Sequence, residues 1–141
     1  VKTELSMYTS ITITQEIRDQ VIEHAKACLP NECCGYITGV DSQLKTLYKM
    51  TNVDASPVHF SFDPKEQFHV VKESRKQGEM PMVVYHSHPE SPARLSNEDL
   101  RLLTDPNMVY VIVSLETENI ELKGYHIIDS VITEVPIKIG G

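Results

Sequence analysis

Residues 81–85 (PMVVY) are apolar and of strand length, and they run without a break into His86-Ser87-His88-Pro89. A continuous apolar strand has to be covered on both faces, so this segment belongs inside a helix-covered sheet rather than at an open edge. Side chains two apart on a strand leave the same face, so both imidazoles emerge together at the strand end, where Pro89 turns the chain. Eleven positions beyond His88 stands Asp99, within Ser96-Asn97-Glu98-Asp99. The loop between them is long enough to bring a helix start with Asp99 back over the two histidines. Two imidazole nitrogens and one carboxylate oxygen suit zinc, with the fourth tetrahedral position left for water. The same residues also read as two ordinary surface histidines and an S-x-x-D helix cap.

Around this segment the punctuation is clear. Thr14 is a suitable N-cap for a helix over 15–28, with Ile17, Val21, Ala25 and Cys28 on one face and Pro30 as its stop. Residues 34–39 and 44–50 form a hairpin about Asp41 and Ser42. Residues 59–62 read as a further strand, and Asp63-Pro64 opens a helix that runs to about Lys76 and stops at Gly78. A short helix begins near Ser96 and continues through 100–103, residues 108–115 are a second buried strand, and 120–128 pairs with 131–139 about Asp129 and Ser130. Residues 1–10 are a leader or an edge strand. The expected fold class is α/β (α+β), a mixed β-sheet flanked by helices, in one domain over 1–141.

Twenty acidic against thirteen basic residues leave a net charge of −7. A surface of that sign repels a polyanion, so nucleic acid is not an expected partner. No apolar run approaches the roughly 20 residues that a membrane helix requires, and no membrane partner is expected. Three cysteines, an odd number, and no basic-then-apolar leader point to the cytoplasm. Cys33 and Cys34 read as small buried hydrophobes rather than nucleophiles. The terminal Gly140-Gly141 invites a reading as a carrier tail, which is set aside because the chain shows no short carrier-like fold.

A hydrolytic zinc site also needs a base, because zinc lowers the pKa of water to about 7 but does not carry its proton to the leaving group. Glu32, Glu90 and Glu98 are all candidates, and spacing does not choose between them. Taken by itself, Glu32 reads as a solvated loop glutamate.

Glu32 in NECCGYITG, followed far downstream by YHSHPESPARLSNED, resembles the signature of the JAMM, or MPN-plus, metallopeptidases. The resemblance covers nearly the whole chain in the family's order: N-terminal helix, Glu-bearing loop, Phe-x-x-Asp-Pro helix, His-x-His strand. It implies that His86, His88 and Asp99 bind Zn2+, that Glu32 is the base, and that Ser96 helps to stabilise the tetrahedral intermediate. Leu95 departs from the Pro that often precedes that serine, which removes a rigid residue from the loop and touches no reactive atom. At 141 residues the chain has little room for the insertions with which eukaryotic members embrace ubiquitin chains. It looks more like the stand-alone prokaryotic members, which implies hydrolysis after the Gly-Gly end of a ubiquitin-like or sulfur-carrier protein. Two other classes are set beside this one: a non-catalytic scaffold, which usually lacks part of the donor set, and a RadC-like DNA-associated protein, which the acidic balance disfavours.

Overall fold

The computed structural model describes residues 9–140. Eight strands and three helices follow one another as β1 (Ile11–Thr14), α1 (Gln15–Cys28), β2 (Cys34–Val40), β3 (Gln43–Met50), α2 (Pro64–Lys76), β4 (Met80–His88), α3 (Asn97–Leu102), β5 (Val109–Ser114), β6 (Glu121–Ile128), β7 (Val131–Val135) and β8 (Ile137–Gly140). They make one sheet in the order β7-β6-β5-β4-β2-β3-β1-β8. The expected mixed sheet flanked by helices is therefore present, and β4 lies in its interior. Among the described residues no helix is long and apolar enough to cross a membrane.

Local chemistry explains the two long helices. The Thr14 side chain accepts from the Ile17 amide, and the Asp63 side chain accepts from the Lys65 amide just ahead of Pro64, so each helix starts where a side chain relieves its first amides. Gly78 follows α2 at φ +73°, a conformation that costs a residue without Cβ little. The two-residue turn Asp129-Ser130, with both φ positive, matches the twist of the β6–β7 hairpin that it closes.

Two sequence expectations need correction. Residues 59–62 are irregular, not a strand. Their alternation reflects Phe60 and Phe62 turning into an aromatic cluster, where Phe62 stacks on Tyr36 at 4.9 Å between ring centroids. The strand expected over 131–139 is two strands, divided at Pro136, which has no amide to donate to a ladder. Its second half, β8, pairs in parallel with β1, an edge arrangement that places Gly140 opposite Thr14 within the sheet. The expectation for residues 1–10 lies outside the described residues, apart from positions 9 and 10.

The sheet separates two apolar clusters. Ile17, Val21 and Ala25 of α1 pack with Ile11, Ile13, Val111 and Tyr85 on one face, and Val70 of α2 packs with Tyr36, Phe60, Val84 and Tyr110 on the other. Since β4 alternates, Tyr85 and Ser87 share the α1 side while Val84, His86 and His88 share the α2 side. On the other side of β4 from β2, the neighbouring strand is β5, and the two run parallel, with His88 opposite Ser114. A parallel pair requires a crossover, and this one carries α3 over the C-terminal end of β4. That topology brings Asp99 to the histidines.

Gly35, beside Cys34, faces Tyr85 across the β2–β4 ladder. A Cβ there would sit 2.5 Å from the Tyr85 ring and 2.5 Å from the Tyr48 carbonyl oxygen. The ring cannot retreat freely, because the Tyr85 hydroxyl is 2.7 Å from Nδ1 of buried His24. Gly35→Ala is therefore expected to destabilise the protein by about 1–3 kcal/mol through overpacking. A urea midpoint equal to that of the unsubstituted protein would show that the sheet yields at no cost.

Candidate metal centre

His86 and His88 end β4, and both are buried, as is Asp99. His86 Nε2 lies 3.2 Å from Asp99 Oδ1, His88 Nε2 lies 3.1 Å from Asp99 Oδ2, and the two Nε2 atoms are 3.2 Å apart. One donor atom from each residue falls within 4.8 Å of the others. Three inward donors of the two-imidazole, one-carboxylate type fit a zinc ion with an open coordination position.

Orientation comes from the surroundings. His88 Nδ1 is 2.8 Å from the Pro92 carbonyl oxygen, so it carries the proton and donates, which leaves Nε2 for a metal. His86 Nδ1 is buried with no hydrogen-bond partner among the described residues, and its ring is held instead by Phe60, stacked at 4.8 Å and 27°. Asp99 is fixed through the helix it begins. Ser96 caps α3 by accepting from the Asp99 amide at 3.0 Å, while Asp99 Oδ2 accepts from the Ser96 amide at 3.0 Å. Asp99 thus belongs both to the capping box, with Ser96, and to the candidate donor group, with His86 and His88.

The electrostatics agree with this arrangement. Burial works to raise the Asp99 carboxyl, but hydrogen bonds from His86 and His88 outweigh it and hold the group well below the usual carboxylate range. Burial lowers His86 in spite of Asp99. His88 is raised, because its bonds to Asp99 and the Pro92 carbonyl overcome its burial.

The loop between the histidines and Ser96 is anchored where the sequence lacks its proline. Three successive carbonyls are held: Ser91 by the Ser114 hydroxyl at 2.7 Å, Pro92 by His88, and Ala93 by the Tyr125 hydroxyl at 2.6 Å. Leu95 packs against Ala93, Ile112 and Tyr125. Hydrogen bonds and packing supply the rigidity that a proline would give.

Of the three candidate bases the structure buries one. Glu90 is exposed, and Glu98 is paired with Arg101 at 2.8 Å. Glu32 is only 3% exposed, and its Oε1 has no hydrogen-bond partner among the described residues. Burial pushes its carboxyl up to about 8, with His88 opposing and Asp99 reinforcing the change, so the group lies within electrostatic reach of two of the donors. Ser96 is exposed beside them, its Oγ fixed as the cap acceptor and its own proton not needed for that bond. Cys33 and Cys34 are buried free thiols; burial pushes Cys33 up to about 12 and Cys34 higher still, so neither supplies a thiolate.

Three contributors carry no sequence signal for this role. Phe60 lies in a segment whose alternation reads as a strand, the Pro92 carbonyl is backbone, and Ser87, between the histidines and on the opposite face, accepts from the Cys33 amide at 2.7 Å. That bond ties β4 to the loop that carries Glu32.

The family model described as prokaryotic homologues of the JAB domain matches residues 14–124. The chain is 32% identical over 132 residues to the CysO-cysteine peptidase of Mycobacterium tuberculosis, covering 92% of this chain and 90% of that one. It is 31% identical over 112 residues to the desampylase of Haloferax volcanii, covering 74% and 80% respectively. A Desulfitobacterium hafniense protein solved in solution superposes with a TM-score of 0.86 at 38% identity, over 92% of each chain.

Proposed function

The chain belongs to the prokaryotic JAB-domain family, the stand-alone branch of the JAMM or MPN-plus peptidases, and is a hydrolase; on that premise we propose that it cleaves the bond after the C-terminal Gly-Gly of a ubiquitin-like or sulfur-carrier protein. In this reading residues 1–141 are one peptidase domain, zinc is held by His86, His88 and Asp99, Glu32 is the general base and Ser96 assists. The observation that carries it is a buried carboxyl whose Oε1 has no hydrogen-bond partner among the described residues, within electrostatic reach of two of three buried, converging donors.

When bound, zinc supplies Lewis acidity that polarises a scissile carbonyl and lowers the pKa of water to about 7. Glu32 takes a proton from the attacking water and passes it to the leaving amine. Its burial raises its proton affinity toward neutrality, where a group both accepts and releases a proton readily. The Ser96 hydroxyl, positioned by the cap, donates to the developing oxyanion. A scaffold would have no use for a buried, unpartnered glutamate beside a complete donor set.

The names of the two relatives, a CysO-cysteine peptidase and a desampylase, support the substrate class. Glycines suit it physically, because a side chain next to the scissile bond would hold the substrate backbone away from a site set at the end of a strand. A carrier fusion with a short extension after Gly-Gly, followed by mass spectrometry, is expected to release the extension, with chelator stopping the release and zinc restoring it. Changing the second glycine to valine should slow cleavage by about 100-fold or more, the range for a misplaced scissile bond. Equally fast cleavage of that fusion would identify a general peptidase and remove the carrier from the account.

A further inference from the structure

Glu32 Oε1 is buried with no hydrogen-bond partner among the described residues, and the hydrogen bonds that anchor the residue are made by its backbone. The Glu32 carbonyl oxygen accepts from Asn52 Nδ2 at 3.1 Å, and the Glu32 amide donates to the Ser56 carbonyl at 2.8 Å. On its other flank, the Cys33 amide donates to Ser87 Oγ. The glutamate is thus clamped between β4 and the loop that follows β3.

Asn52 is the centre of that loop. Its Nδ2 also donates to the His59 carbonyl at 3.0 Å, and its Oδ1 accepts from the amides of Asp54 at 3.1 Å and Ser61 at 3.3 Å. The bonds at His59 and Ser61 bracket Phe60, whose ring is stacked on His86. One side-chain amide therefore ties the backbone of Glu32 to the residue that packs on a metal donor. We propose that Asn52 is a positioning residue for the reaction: its amide holds Glu32 and Phe60 in mutual register about the site, without touching substrate itself.

Two substitutions separate this role from support of the loop alone. In Asn52→Asp the shape and both acceptor bonds remain, but the two donors that face the Glu32 and His59 carbonyls are lost, and an anion faces those carbonyls instead. In Asp54→Ala the outer loop bonds go, since Asp54 Oδ2 accepts from the Ser61 hydroxyl at 2.7 Å and pairs with His59 at 3.0 Å, while the Asn52–Glu32 bond stays.

The inference rests on Glu32 being the base, so Glu32→Gln is assayed beside both variants on the Gly-Gly fusion. With Asn52→Asp, kcat is expected to fall about 10- to 100-fold, the scale of a misplacement near 1 Å, with KM changed less than about twofold. Zinc content should be unchanged, and amide hydrogen exchange at Glu32 should be faster. Asp54→Ala should lower the melting midpoint and leave kcat within about twofold. If Asn52→Asp does not fold, Asn52→Ser, too short to reach both carbonyls, carries the same expectations. Wild-type kcat in the Asn52 variant, or kcat losses in both variants that merely follow their loss of stability, would overturn the positioning role. An active Glu32→Gln would instead overturn the assignment of the base.

Discussion

Glu32→Gln is expected to keep zinc and to lose about 10²- to 10⁴-fold in kcat, the contribution of a positioned general base. The amide preserves the shape of the side chain while removing its ability to take a proton. The same substitution should raise the stability of the metal-free protein, with a definite dependence on pH. The folded protein holds Glu32 at about 8 against 4.5 for the ordinary group. A carboxyl raised on folding is neutral in both states below the ordinary value, and ionisation then favours the unfolded chain as pH climbs toward the folded value. The metal-free protein therefore loses stability to Glu32 between about pH 4.5 and 8, by an amount on the order of a few kcal/mol, since each unit corresponds to about 1.4 kcal/mol. Glutamine removes that loss, so the variant should melt higher than the unsubstituted protein at pH 8 and equally at pH 4. A variant that turns over near the wild-type rate would move the base to Glu90 or Glu98. A stability difference that did not vary with pH would show that Glu32 is not held neutral by burial.

The ends of α1 and α2 were legible because each is written in one or two side chains, Thr14 for the first and Asp63-Pro64 for the second, whose effect is local. The two histidines were legible for a similar reason, since a spacing of two on a strand fixes a common face whatever lies around it. Asp99 was legible only as far as a loop of sufficient length allows. What placed it is the parallel pairing of β4 with β5, a contact between distant segments. The choice of Glu32 lay beyond local pattern altogether. Its burial depends on Ser87, 54 positions from Cys33, and on Asn52, 20 positions from Glu32. Residues 59–62 misled because alternation of aromatic and polar residues signals a strand only when a partner strand exists, and here the aromatic rings turn into a cluster beneath His86. The break at Pro136 was present in the sequence, and its consequence, a second strand that joins β1, required the far edge of the sheet to be known.

In the proposed mechanism His86, His88 and Asp99 form one metal site, and Glu32 acts beside it without holding the metal. Zinc per chain, measured by elemental analysis on the purified protein and on His86→Ala and Glu32→Gln prepared in the same way, tests it most directly. Removing one of three donors takes away a large part of the binding free energy and leaves Asp99 with half of its imidazole partners. About one zinc is expected in the unsubstituted chain and in Glu32→Gln, and little or none in His86→Ala. Full zinc in His86→Ala, or zinc lost from Glu32→Gln, would contradict it.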